Sequence, residues 1–139
     1  MFAIKTEIRQ PGAKSWHFVR QKTMYGGRTV AQGDTIFVFA SENEGAEGLV
    51  VLGRVTEAEA IPKQPGIARQ TPRQTPRVSI RVEAVAKVKH GLGRSELRTS
   101  QDWNDGRPET ELNFKLYRQA TNKIVGISAA TAAYLSSRF

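Results

Sequence analysis

Apolar and polar positions alternate with a period of two in short stretches along the chain, and each stretch predicts a strand. Phe2, Ile4 and Ile8 alternate with Lys5 and Glu7 until Pro11 and Gly12 end the run. From Thr35 to Ala40, Phe37 and Phe39 point one way and Ile36 and Val38 the other, so both faces of this strand should be covered. Leu49 to Thr56 and Val78 to Ala84 follow, the second with Arg77, Ser79, Arg81 and Glu83 on a wet face. Leu112, Phe114 and Leu116 restart the period, and Lys123 to Ile127 completes six strands. Ser15 caps a predicted short helix with Trp16 and Val19 on one face, and Ser128 caps another through Ala129, Ala132 and Leu135. Six short strands and two short helices predict a mainly β, α+β domain, a curled or closed sheet whose ends the helices cover.

Length and charge sharpen this picture. A chain of 139 residues has the size of one domain, so a single unit over 1–139 is expected. Ser41 to Gly48 reads as an exposed loop, and Gly91 to Pro108 as a polar one around Trp103. Pro62 to Pro76 holds four prolines and a tandem Gln-Thr-Pro-Arg repeat, which predicts a mobile Pro/Arg-rich arm over about 62–77. The net charge is +8, and most of it falls between Pro62 and Arg94, where eight Lys and Arg face Glu83 alone. Within that arc Arg69, Arg73, Arg77, Arg81, Lys87 and Lys89 are the candidates to meet a nucleic-acid backbone, because phosphates release counterions when met by Lys and Arg. Cysteine is absent, which removes disulfides, thiolate metal sites and thiol nucleophiles and fits a reducing, cytoplasmic setting. The longest apolar run, Ile36 to Ala40, is far too short for a membrane span.

Signatures of catalysis are thin. His17 and His90 are the only histidines, and no metalloprotease, nucleophile-elbow or phosphate-loop pattern occurs, so neither catalytic residues nor a metal or cofactor is expected. Carboxylates gather at Glu42, Glu44 and Glu47 and at Asp102, Asp105, Glu109 and Glu111, where loop solubility explains them more simply than acid–base work.

The order of short motifs resembles the EVE domains of the PUA-like superfamily, relatives of the YTH readers of methylated adenine in RNA. Phe2 to Glu7 is similar to their aromatic strand ending in Lys-Ser-Glu; Trp16, Val19 and Arg20 to Trp-x-x-Val-Arg; Gly33-Asp34 and Phe39-Ala40-Ser41 to the bounds of the next strand; Gly48-Leu49-Val50 to Gly-Ile-Val. Gln21 stands where the family has asparagine. The resemblance implies a PUA-like pseudo-barrel that binds nucleic acid by taking up an unstacked, modified base from a single-stranded or flipped position in RNA or DNA. Carried over by position, Lys5, Thr6 and Glu7 would line the pocket, Trp16 would form one wall, the backbone N–H of His17 would donate, and Ser41 and Asn43 would close the neighbouring strand end. Trp103 is the candidate opposite wall, from its polar loop context. Two other classes stay open: a small ASCH-like hydrolase acting on a modified nucleoside through Lys5 and Glu7, and a protein-interaction module using the Pro-rich arm.

Overall fold

The computed structural model describes residues 1–41, 48–61, 77–118 and 121–139. Its strands are β1 (Phe2–Thr6), β2 (Ser15–Met24), β3 (Thr35–Ala40), β4 (Gly48–Ile61), β5 (Arg77–Lys87) and β6 (Lys123–Gly126). They close into a barrel in the order β1-β3-β4-β5-β2-β6. β1 runs parallel to β3 and β2 parallel to β6, while the other pairs are antiparallel. Outside the barrel lie α1 (Arg94–Leu97), α2 (Pro108–Leu112), which continues into a π-helical turn over Asn113–Tyr117, and α3 (Ala129–Ser136).

Strand alternation sorts the apolar side chains into two cores. Ile4, Phe18, Ile36, Val51, Ile80 and Ile124, drawn from all six strands, fill the barrel. Ala3, Phe37, Phe39 and Val125 point outward and meet Leu97, Leu112, Leu116 and Leu135 of the helical layer. The strand around Phe37 is thus covered on both faces, as its composition predicts, whereas β5 keeps one wet face. The Ser41–Gly48 loop and the Pro/Arg-rich arm fall, apart from their ends, outside the described residues.

Three sequence expectations fail, the first being the polar loop over Gly91 to Pro108, which carries α1 with Leu97 buried. The segment from Ser15 is a strand rather than a helix: Trp16 and Phe18 turn toward the barrel and His17 and Val19 toward water, a period of two. Ladders to β5 and β6 on either side outweigh the capping signal of Ser15, and aromatic and β-branched residues suit that pleated surface. The segment from Leu112 to Leu116 is helical rather than extended. Pro108 opens it at a first-turn position where its missing N–H costs nothing. Leu112 and Leu116 fit either period; Phe114, which should have been inward in a strand, is half-exposed.

Candidate functional site

The barrel has an irregular corner where β1 ends beside β2. β2 shifts register against β5 between Phe18 and Gln21, and Arg20 at this bulge adopts a left-handed backbone with φ 53°. Its N–H donates to Ser79 Oγ at 2.9 Å, and its carbonyl accepts from Arg77 Nη1 at 2.8 Å. Bulges re-aim side chains, and here they open two hollows that share Thr6, Glu7 and Gln21. The larger, about 460 Å³, adds Arg9, Trp16 and His17; the smaller, about 360 Å³, adds Arg20, Lys22, Arg77 and Asn122.

Trp16 is half-buried, packs on the barrel core and lies nearly parallel to Phe18, with centroids 6.4 Å apart and planes 8° from parallel. Its Nε1 donates to the Gln10 carbonyl at 3.2 Å, which fixes the ring. It is a plug and a wall together. Glu7 is exposed, and Arg9, 3.9 Å away, is a loose solvent-screened neighbour. The corner therefore combines an aromatic plane, a carboxylate acceptor and four cations.

Thr6, Glu7, Trp16 and His17 line the larger hollow together. Lys5 is not on that wet surface: it is buried, its ammonium sits 5.1 Å from the Tyr117 ring centroid, and in register it adjoins Lys123, which is 1% exposed. Burial pushes the Lys123 ammonium below its usual pKa, and the charges of Lys5 and Lys22 push it further the same way. Ser41 lies beside the corner, its N–H donating to the Thr6 carbonyl at 2.8 Å, and its buried hydroxyl has no hydrogen-bond partner among the described residues. Asn43 falls outside the described residues. Trp103 does not face Trp16. It stands against Phe114 at 5.4 Å and lines a separate hollow whose residues belong to neither of the first two.

The basic arc is divided. Arg77, Arg81 and Lys87 share the outer face of β5, but Arg81 pairs with Glu57 at 3.2 Å and Lys87 donates to the Pro11 carbonyl at 3.1 Å. Arg77 reaches the smaller hollow. Lys89 lies past the strand, exposed, and Arg69 and Arg73 fall outside the described residues. Asp105 and Glu111 are structural ties rather than solubilising charges. Asp105 accepts from the Arg107 N–H and the Thr110 hydroxyl, and Glu111 from Ser128, Thr131 and Lys115. Sequence reading passed over Arg9, Phe18 and Lys22, although a strand from Ser15 would have joined Phe18 to Trp16 at once.

No family model and no curated protein matches the sequence. Solved structures do match in fold. The DUF55 domain of human thymocyte nuclear protein 1 superposes with a TM-score of 0.59 at 13% identity, covering 98% of this chain and 96% of its own. A Pseudomonas syringae protein gives 0.60 at 18% identity over 99% of both chains. Human THYN1 protein, in a complex with DNA containing 5-methylcytosine, gives 0.60 at 13% identity over 98% of this chain and 95% of that one. The fold is accordingly the PUA-like pseudo-barrel that the resemblance to EVE domains implied, over the whole described chain.

Proposed function

We propose that this chain binds nucleic acid and takes up an unstacked, modified base, methylated cytosine first among them, at the corner between β1 and β2. The observation that carries the reading is the joining of Trp16, Glu7 and the cations Arg9, Arg20, Lys22 and Arg77 around two hollows that share Thr6, Glu7 and Gln21. A ring plane stacks any base, the cations suit the flanking phosphates, and a carboxylate that only accepts hydrogen bonds favours a base edge with an exocyclic amine. A methyl group adds apolar area against the tryptophan. The Ser41 hydroxyl, one strand away and without a hydrogen-bond partner among the described residues, is a further group available to a ligand. The same fold in human THYN1 protein, in its complex with 5-methylcytosine DNA, supports this class of ligand. The reading includes no catalytic step, and the absence of cysteine suits a cytoplasmic setting. No described helix is long and apolar enough to cross a membrane.

Titration with free methylated cytosine and adenine nucleosides, followed by amide chemical shifts, tests the proposal. Shifts should centre on Thr6, Glu7, Trp16 and Gln21, and mass spectrometry should return the nucleoside unchanged. Shifts confined elsewhere would overturn the site, and a converted nucleoside would favour the hydrolase.

A further inference from the structure

Lysines occupy one rung of three neighbouring strands. Lys123 of β6 stands opposite Lys5 of β1 on one side and Lys22 of β2 on the other, so the three share a face, with side-chain roots about 5 Å apart. Like charges set directly side by side weaken a sheet. Lys22 is exposed and lines the smaller hollow, whereas Lys123 is 1% exposed, and neither ammonium has a hydrogen bond or ion pair among the described residues. We propose that Lys22 and Lys123, with Arg77 of the same hollow, seat the terminal phosphate of the nucleotide whose base stacks on Trp16.

The inference rests on the nucleic-acid reading above and deepens it by naming the ligand's end. A buried ammonium without a counter-charge is costly, and here burial, with the charges of Lys5 and Lys22, already holds Lys123 below its usual pKa. An anion on this row relieves the repulsion. The charge count then selects the kind of phosphate: Arg20, Lys22 and Arg77 line the smaller hollow, Lys123 adds a cation from the rung beside Lys22, and Glu7 is the one carboxylate lining the hollow among the described residues. A phosphomonoester brings about −1.5 to −2 at pH 7, an internal diester about −1. The excess suits the monoester. Glu7 also sets the direction, because it lines both hollows, accepts from a base amine on the Trp16 side and repels phosphate, which leaves the phosphate to Lys22 and its neighbours. Hollows of about 460 Å³ and 360 Å³ that share three residues give the two ends of one nucleotide adjoining places.

The test measures affinity for 5-methyl-2′-deoxycytidine, its 5′-monophosphate, and two five-nucleotide strands, one with the methylated base at a 5′-phosphorylated end and one with it internal and no terminal phosphate. The monophosphate should bind about 10-fold to 150-fold more tightly than the nucleoside, the gain expected of charge-assisted hydrogen bonds. Lys22→Gln and Lys123→Met should each remove much of that gain and leave nucleoside affinity unchanged. Lys123→Met should also melt no lower than the wild type, because an apolar chain of similar length replaces an uncompensated buried cation; if it does not fold, Lys22→Gln carries the test. A monophosphate tighter than the phosphorylated strand supports a free nucleotide as the source, and the reverse supports a strand end. Equal wild-type affinity for nucleoside and monophosphate, or a full gain in both variants, overturns the phosphate seat and leaves the base corner standing. An internal base bound as tightly as the phosphorylated end overturns the preference for a terminal phosphate. Failure of the wild-type chain to bind any of the four probes overturns both readings.

Discussion

Trp16 packs on Phe18 and the barrel core on one side and lines a hollow on the other, so its truncation removes two things. Trp16→Ala should cost about 3–5 kcal/mol of stability if the ring behaves as core, and should weaken all nucleosides alike. Trp16→Phe separates the two effects, because it keeps a plane and most of the buried area; thermal unfolding and nucleoside titration on the same samples give the comparison. Glu7 is different in kind. Exposed and paired only loosely with Arg9, it contributes little to the fold, and Glu7→Gln should move stability by no more than about 0.5 kcal/mol. The amide can donate as well as accept, so the variant should bind uridine-like and cytidine-like edges more evenly than the wild type. Unchanged preference would place the carboxylate away from the base edge.

Among the elements, α2, the π-helical turn and α3 are held by one carboxylate. Burial alone raises the Glu111 pKa, but hydrogen bonds from the Ser128 hydroxyl and N–H, the Thr131 hydroxyl and the Lys115 ammonium outweigh it and hold the group below the usual carboxylate range. A depressed folded pKa contributes stability that is full above the ordinary value of 4.5 and is lost as pH falls through the folded one. Glu111→Gln should therefore destabilise the chain at pH 7 by about 1–3 kcal/mol and flatten the fall in stability below pH 4.5, measured by denaturant titration at several pH values. At the bulge of β2 the balance is reversed. Arg20 holds a backbone conformation that costs a non-glycine residue about 1–2 kcal/mol, so Arg20→Gly should leave the melting temperature equal or higher while oligonucleotide affinity drops. These two elements also mark what could be read beforehand. β3 was legible because Ile36 to Ala40 is apolar at every position, which only a strand covered twice allows. β2 was not, because its bulge interrupts the alternation at Val19 and Arg20, and its extended state is imposed by β5 and β6 from far along the chain. The proposed site divides the same way: Thr6, Glu7 and Trp16 stand in local motifs, whereas Arg77 and Lys22 reach the corner only through barrel closure.

At the scale of the molecule, a charge of +8 is less informative than which cations are uncompensated. Arg20, Lys22 and Arg77 surround the smaller hollow, so a single-stranded ligand meeting all three should show a log–log salt slope of about −2 from them. Arg77→Ala should flatten it by about 0.7, whereas Arg81→Ala, already paired with Glu57, should leave it unchanged; equal effects would return the whole outer face of β5 to the interface. Closure has a further consequence in time. The four-residue β6 pairs with both β1 and β2, yet more than a hundred residues separate it from β1 in sequence. During synthesis, β1 and β2 each keep an unpaired edge until Lys123 to Gly126 emerge, and open edges are templates for pairing with other chains. A released chain truncated after Arg118 would keep all of the barrel core but Ile124, lose Val125, Ile127, Ala132 and Leu135 from the outer core, and be adhesive, so the last strand and helix decide whether the protein becomes a sealed particle or an aggregate.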